Sequence, residues 1–178
     1  MRLVGDRILL REWRGDELEA MHAWLGDPRV ARYLSWGASS REETAEHLAH
    51  CVAVQREPVR RQFFLALEHR GDGQVLGDAG FEWADGPGGE REGAFGYFLG
   101  HDHWGHGYAT EAAQLIVDEI LGDPGVHAAR ASCDARNTRS ERVMQKCGLL
   151  RAPEREEPGR RVYLLTRESW RERLRTEL

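Results

Sequence analysis

Hydrophobic residues in the first 55 positions recur at helical intervals. Leu18, Met21 and Leu25 are spaced for one face of a helix, and Asp16 is placed to be its N-cap. A second helix is predicted after Ser40, because a Ser-x-x-Glu capping box is followed by small and apolar residues at helical spacing. The chain is therefore predicted to begin with helices.

Three segments between residues 61 and 99 are typical of β-strands. Arg61–Leu67 is rich in aromatic and aliphatic residues, and a glycine-containing turn leads from it into Val75–Trp83. Ala94–Leu99 is the third such segment. Because short, turn-rich connections join these segments, we predict an antiparallel meander.

After Gly107 the pattern changes to that of a long amphipathic helix. A strand at Val126–Cys133, a helix at Asn137–Cys147 and a last strand at Arg161–Leu165 follow. The apolar stripe of the long helix recurs at i, i+3, i+4, i+7, i+8 and i+11: Ala109, Ala112, Ala113, Ile116, Val117 and Ile120.

The C-terminal tail repeats an apolar residue every four positions, at Trp170, Leu174 and Leu178. This spacing predicts a helix that docks on the body of the protein. A homodimer contact is the alternative interpretation.

Composition and charge exclude several classes of protein. The chain has 178 residues and a formal net charge of −5, which argues against a dedicated nucleic-acid-binding protein. Its three cysteines cannot all pair and show no metal-ligand spacing, so we interpret them as reduced thiols. No apolar stretch reaches the roughly 18 residues of a membrane span, and the N-terminus does not resemble a secretory signal. We therefore expect a cytoplasmic protein that uses no metal, nucleic acid or membrane.

The most informative segment is a glycine-rich turn between the third predicted strand and the long helix. Gly105 and Gly107 precede a helix that begins near Tyr108. Such a turn lets backbone N–H groups converge where the helix dipole favours negative charge, which suits a phosphate group. The alternative is a helix start that needs only the flexibility of glycine. The segment lacks the lysine and the third glycine of the common nucleotide-binding loops.

This segment, Trp104–Ala112, resembles the acetyl-CoA pyrophosphate loop of the GNAT N-acetyltransferases, and more closely that of the RimJ/RimL type, which acetylates ribosomal-protein N-termini. Three other segments resemble the same branch in the same order: Trp24–Leu34, the strand pair Leu76–Phe81 and Phe95–Leu99, and the helix Asn137–Leu149. The resemblance implies a single GNAT-like α/β domain of the α+β type over residues 1–178. Its sheet would be mixed and mostly antiparallel, with about six to seven strands, splayed central strands and about four flanking helices.

The resemblance also implies acetyl-CoA as co-substrate, and it assigns residues to that ligand. Asn137 would contact pantetheine, although helix capping is an equally good role for it. His106 could touch a phosphate when protonated, or lie in a solvated loop. The full cofactor-binding set implied is Tyr97, Phe98, Leu99, Gly105, His106, Gly107, Tyr108, Ala109, Thr110, Asn137, Ser140 and Arg142.

The implied reaction is direct attack of a primary amine on the acetyl thioester within one ternary complex. Ser140 corresponds to the serine that can hydrogen-bond the departing sulfur. The family's usual glutamates are replaced by Ala94 and Ala152, so the general base must come from elsewhere. Glu82, on one strand face with Asp78, is our candidate, and a solvated carboxylate at a strand end is the alternative. Weaker candidates are Glu92 and His101.

Three functions remain open from the sequence. The first is an N-acetyltransferase that acts on a protein N-terminus or a small-molecule amine. The second is a non-catalytic acyl-CoA-binding module, and the third is a binder of another phosphate ligand. Trp36, together with the acidic residues Glu90 and Glu92, favours a cationic acceptor.

Overall fold

A computed structural model describes residues 1–34 and 36–176, so Leu178 of the predicted tail lies outside the described residues. The described chain forms one eight-stranded mixed sheet with the order β1-β2-β3-β4-β5-β6-β8-β7. The strands are β1 (Arg2–Val4), β2 (Ile8–Glu12), β3 (Gln62–His69), β4 (Val75–Asp85), β5 (Arg91–Leu99), β6 (Ala128–Asp134), β7 (Leu150–Arg151) and β8 (Arg160–Thr166). The α-helices are α1 (Leu18–Leu25), α2 (Pro28–Ala31), α3 (Arg41–Val54), α4 (Tyr108–Gly122), α5 (Thr138–Lys146) and α6 (Arg167–Thr176).

The mixed α/β class predicted from sequence is confirmed, and the element count is higher than predicted. The N-terminal hairpin β1–β2 was not predicted. Strand β2 lies between β1 and β3, and four of its five residues are buried. A strand covered on both faces shows no apolar–polar alternation, so its sequence lacks the usual signal of a strand. The four-residue helix α2 and the two-residue strand β7 are too short to produce a period.

The starts of the first and third helices illustrate one wrong and one confirmed prediction. Asp16 is not the cap of α1, because the N-cap position belongs to Glu17, which makes no side-chain cap bond. The Glu17 carboxylate instead accepts two hydrogen bonds from Arg11, at 2.6 and 2.9 Å. The predicted capping box at the start of α3 is present, with both of its reciprocal bonds between Ser40 and Glu43.

The two faces of the sheet carry different helices. Apolar residues of β3, β4 and β5 such as Leu65, Phe81 and Phe95 belong to the larger core with α4, whereas Ala66 and Phe98 join the smaller core beneath α1 and α3. The C-terminal tail docks on the body as predicted, because Trp170 packs against the larger core and donates a hydrogen bond to Asp118 of α4 at 2.8 Å.

The sheet opens between its two central strands. Strands β5 and β6 pair in parallel from Glu92–Ala128 to Phe95–Ala131, and the pairing stops there. Both strands continue, β5 to Leu99 and β6 to Asp134. The predicted splay of the central strands is therefore confirmed, and within residues 1–34 and 36–176 no strand pairs with that edge of β5 from Gly96 onward.

Candidate active site

The glycine turn lies directly before α4, as the sequence predicted. Gly105 and Gly107 both have φ +84°, in the region that side chains disfavour, and Gly107 is the N-cap of α4. Within the described chain, the amides of residues 105–109 donate to no protein acceptor, whereas the Thr110 amide donates to the Gly107 carbonyl at 3.1 Å. Five consecutive donors at a helix start can receive an anion. The Thr110 amide thus already has an acceptor within the protein, and contact of Thr110 with a ligand stays a prediction.

An arginine near the N-terminus supports this turn, although no pattern in the sequence indicated this contact. Arg7 donates to the His106 carbonyl at 2.8 Å and pairs with Glu111 of α4 at 2.9 Å. Its guanidinium lies 5.0 Å from the centre of the Tyr108 ring, on which the His106 ring stacks. Arg7 therefore links the turn to the start of β2 and to the first turn of α4. Only the packing of β2 beside α4 brings these residues together.

The start of α5 lies beside the same turn. Asn137 is the N-cap of α5 and accepts the Ser140 amide at 3.2 Å, so its capping role is confirmed while contact with a ligand stays a prediction. The Arg139 guanidinium lies 5.0 Å from the centre of the Trp104 ring. Arg142 is exposed on the same helix.

The hydroxyl groups of Tyr97 and Ser140 meet across the opening between β5 and β6. The Tyr97 hydroxyl lies 2.9 Å from Ser140 Oγ and donates to the Ser140 carbonyl at 3.0 Å. Burial raises the pKa of the Tyr97 phenol, so this group stays protonated at neutral pH. The sequence predicted a backbone role for Tyr97, and the structure adds a side-chain contact with the candidate acid.

On the opposite face of the sheet, the opening joins a cleft of about 350 Å³. Polar residues of β4 line it on one side and residues of β6 on the other, with β5 between them. The lining residues on these three strands include Asp78, Gly80, Glu82, Ala94, Gly96, Phe98, Arg130 and Ser132. Because alternate residues share a sheet face, the predicted pairing of Asp78 and Glu82 on one face is confirmed.

Asp78 is the buried carboxylate of this cleft. Only 5% of the residue is exposed, and its Oδ2 accepts a hydrogen bond from Trp13 Nε1 at 2.7 Å. Burial raises the pKa of Asp78 to about 7, although the Trp13 hydrogen bond acts in the opposite direction. A carboxylate with this pKa can take up a proton near neutral pH. The sequence placed Asp78 beside Glu82 without predicting its burial.

The other acidic candidates have different surroundings. Glu82 is exposed at the rim of the cleft, where it accepts a hydrogen bond from Gln62 at 3.2 Å. Glu92 is 1% exposed and accepts two hydrogen bonds from Arg155, at 2.7 and 2.9 Å. Glu92 is thus an internal ion-pair residue, which contradicts both its use as a base and its part in attracting a cationic acceptor. His101 lies in the turn before Trp104, on the side of the glycine loop.

The structure therefore brings the predicted residues together in two groups. The first group consists of the glycine turn, the end of β5 and the start of α5. The second group, Asp78 and Glu82, lies on the opposite face of the sheet. The backbone carbonyl of Leu99, one of the predicted pantetheine contacts, already accepts the Trp104 indole N–H at 2.9 Å. A sheet that opens between a set of free amides and a buried carboxylate is able to hold an extended, phosphate-bearing ligand and present its end to a second molecule.

Comparisons with known proteins identify the family. The family model described as an acetyltransferase (GNAT) domain matches residues 7–150. The chain belongs to this GNAT acetyltransferase family, and it is an acetyltransferase. No helix among residues 1–34 and 36–176 is long and apolar enough to cross a membrane, and no group of three potential metal ligands is found in the same residues.

Two curated relatives and two solved structures illustrate the similarity. The uncharacterized N-acetyltransferase p20 of Bacillus licheniformis is 26% identical over 155 residues, which cover 84% of this chain and 85% of the relative. The uncharacterized N-acetyltransferase YnaD of Bacillus subtilis is 26% identical over 151 residues, which cover 85% and 84%. A GNAT-family acetyltransferase structure from Bacillus anthracis has a TM-score of 0.79 at 23% identity, covering 94% of this chain and 99% of that one. RimL, a ribosomal alpha-N-protein acetyltransferase solved with coenzyme A, has a TM-score of 0.76 at 16% identity, covering 95% and 99%.

Proposed function

We propose that the protein transfers an acetyl group from acetyl-CoA to a primary amine, by direct attack within a ternary complex. The observation that carries this proposal is the opening between β5 and β6, which adjoins the cleft that contains the buried Asp78 carboxylate, while β5 leads on to the free amides of the glycine turn. Two solved neighbours, RimL and the acetyltransferase MccE, were crystallised with coenzyme A and acetyl-CoA respectively. Bound acetyl-CoA would supply a reactive acetyl thioester.

The residues of the turn and the opening fit such a ligand. The amides of residues 105–109 provide donors for a diphosphate, and the unpaired edge of β5 provides backbone groups for the amides of pantetheine. Arg7 would keep the turn in its receptive conformation, while Arg142 on α5 is exposed and able to reach a further phosphate. A backbone N–H of β5 would stabilise the charge that develops on the carbonyl oxygen of the acetyl group.

Asp78 and Glu82 would share the handling of the acceptor's protons. An alkyl amine has a pKa near ~10, so it arrives as an ammonium ion and must lose a proton before it attacks. Asp78 is deprotonated above its pKa of about 7 and lies in the cleft, so it would accept this proton directly or through water. Glu82, at the rim, would pass the proton to solvent. This division of roles extends the base candidate predicted from the sequence.

Ser140 is proposed to stabilise the departing thiolate, with Tyr97 as its positioning residue. We expect Ser140→Ala to lower kcat about tenfold or more, because a donor to the leaving group contributes mainly in the transition state. The KM for acetyl-CoA should change less than about threefold. Tyr97→Phe should lower kcat to a smaller extent, because it removes the hydroxyl that fixes Ser140 Oγ. Steady-state kinetics of coenzyme A release measures both variants.

The control for this pair is Thr138→Ala, which removes an exposed hydroxyl from the first turn of the same helix. Its kcat should equal that of the wild type. A Ser140→Ala enzyme with unchanged kcat would remove Ser140 from the mechanism.

The acceptor is proposed to be a protein N-terminus or a small-molecule amine, in the manner of the RimJ/RimL type. The order of the four resembling segments and the fold shared with RimL support this placement. Acetyl transfer would occur in the cytoplasm, with residues 1–178 acting as one catalytic domain. A screen of amines and peptides for coenzyme A release tests the function: binding of acetyl-CoA without turnover of any acceptor would favour a non-catalytic module.

A second measurement separates these functions from a different phosphate ligand. Coenzyme A should raise the Tm of the protein, because a ligand that binds only the folded state stabilises it. A rise with ATP or NAD and none with coenzyme A would contradict the proposal.

A further inference from the structure

One arginine of the acceptor cleft has no hydrogen-bond partner in the described chain. Arg130 lies on β6, on the sheet face that it shares with Ser132 and the cleft. Its side chain is 29% exposed, and its Nε is buried without an acceptor. Buried N–H donors normally have an acceptor. A buried Nε that lacks one in a cleft therefore indicates that a ligand supplies the acceptor.

The nearest carboxylate is already satisfied by another arginine. Glu92 accepts both of its hydrogen bonds from Arg155, whereas Arg130 Nε stays 3.4 Å from Glu92 Oε2 without a hydrogen bond. Together with the hydrogen bonds to Glu92, the negative charges of Glu154 and Glu90 raise the pKa of the Arg155 guanidinium. Two guanidinium groups thus share one buried carboxylate, and Arg130, the one that lines the cleft, forms only the longer ion pair with it and no hydrogen bond.

The acidic residues of the cleft do not neutralise this charge. Glu82 contacts Gln62, and Asp78 contacts Trp13; neither forms an ion pair with Arg130 among the described residues. The cleft therefore has a carboxylate on β4 and, on β6, a guanidinium without a hydrogen-bond partner among the described residues, with β5 between them. This distribution of charge is complementary to a molecule that carries an ammonium group and an anion.

The position of Arg130 relates it to the point of acetyl transfer. Its register partner is Ala94, one pair before the end of the pairing between β5 and β6 at Phe95–Ala131. An anion bound to Arg130 would lie beside the opening through which the acetyl group reaches the cleft. The amine of the same molecule would then lie between Arg130 and Asp78.

We infer that Arg130 forms a binding subsite for an anionic group, and that the physiological acceptor carries a carboxylate or phosphate close to the amine that is acetylated. The inference rests on the proposed function for the role of the amine, whereas the anion subsite itself depends only on Arg130. A free amino acid and an acidic residue at a peptide N-terminus share this chemistry. A fork of N–H donors is well matched to either anion.

The first experiment measures kcat/KM with acceptors matched in all but charge. The pairs are β-alanine and its amide, and two peptides that begin with Asp or with Asn. The wild type should prefer the acidic member of at least one pair about tenfold or more, as expected for hydrogen bonds to a charged group. A preference within the β-alanine pair indicates a small-molecule acceptor, and a preference within the peptide pair indicates a protein N-terminus.

Variants assign the preference to Arg130. Arg130→Gln should abolish it while Arg130→Lys keeps part of it, and Glu92 stays paired with Arg155 in both variants. The matched control is Arg175→Gln, which removes one exposed positive charge from α6. Equal use of acidic and neutral acceptors by the wild type, or an undiminished preference in Arg130→Gln, would overturn the inference.

The second experiment needs no turnover. Propionate and inorganic phosphate are titrated by calorimetry into wild-type, Arg130→Gln and Arg175→Gln proteins, each with coenzyme A present. At least one anion should bind the wild type and Arg175→Gln equally, and bind Arg130→Gln about tenfold more weakly. Binding that is the same in all three proteins, or absent from the wild type, would refute the subsite. Failure of coenzyme A to bind would instead contradict the proposed function, and the effect of Arg130→Gln on propionate binding would still decide the subsite.

Discussion

Replacement of Gly107 by proline is expected to abolish binding of coenzyme A. Gly107 has φ +84°, and the proline ring holds φ near −65°, so the turn cannot keep its shape. The substitution also deletes one of the five amides that donate to no protein acceptor. We expect the Kd for coenzyme A to rise at least about 100-fold in isothermal titration.

A graded substitution and a control separate loss of the turn from loss of stability. Gly107→Ala keeps the N–H and should weaken binding less than proline does, although φ +84° is disfavoured for alanine and its methyl group would lie 3.2 Å from Arg7 Nη2. Gly89→Pro imposes similar strain at φ +82° in the turn between β4 and β5, at the opposite end of β5, and should leave coenzyme A binding unchanged. A folded Gly107→Pro protein that binds within threefold of the wild type would contradict the assignment of the turn.

Replacement of Asp78 by asparagine is expected to lower kcat by about 100-fold or more. The amide has nearly the same shape and can still accept the Trp13 hydrogen bond through its oxygen, but it cannot accept a proton. In the wild type, log kcat/KM should rise with pH and level off above about 7, the pKa of Asp78. The variant should lose this step, measured with the best acceptor from the amine and peptide screen.

The same substitution should stabilise the protein at alkaline pH. Because the pKa of Asp78 is raised from 3.8 to about 7 in the folded state, the unfolded chain releases its proton first as the pH rises. The wild type therefore loses stability between pH 4 and 7, and the loss is complete above 7. The Asp78→Asn protein buries no charge at this position, so its Tm at pH 8 should be higher than that of the wild type by at least about 3 °C. Thermal denaturation at pH 5 and pH 8 measures the difference.

Glu82→Gln is the matched control, since it removes the charge of an exposed carboxylate on the same face of β4. It should lower kcat less than tenfold and leave the pH dependence of Tm unchanged. If Glu82→Gln abolished turnover while Asp78→Asn remained active, Glu82 would be the base, as the sequence alone suggested.

Features that arise from local chemistry could be predicted from the sequence. The stripe of small and apolar residues in α4 predicts a helix that packs along one face, and Ser40 with Glu43 predicts the start of α3. The two glycines predict a turn before α4, and in the structure both adopt a positive φ that other residues disfavour. Each of these signals comes from residues within a few positions of one another.

Features that arise from contacts between distant segments could not be predicted. Strand β2 is buried on both faces, so nothing in its own sequence distinguishes it from other short apolar runs. Arg7 supports a turn that is 99 residues away, and Glu92 is neutralised by an arginine 63 residues later. The charges of these residues are visible in the sequence, but their partners are not.

By itself, the sequence determined the class of fold, the glycine turn and the helix that carries Ser140, because periodicity, capping and backbone freedom depend on neighbouring residues. Only the tertiary structure decided which acidic residue lies buried in the cleft and which arginine there lacks a hydrogen-bond partner. The burial that raises the pKa of Asp78, and the hydrogen bonds from Arg155 to Glu92 that leave Arg130 with only a longer ion pair, exist only once the strands have assembled.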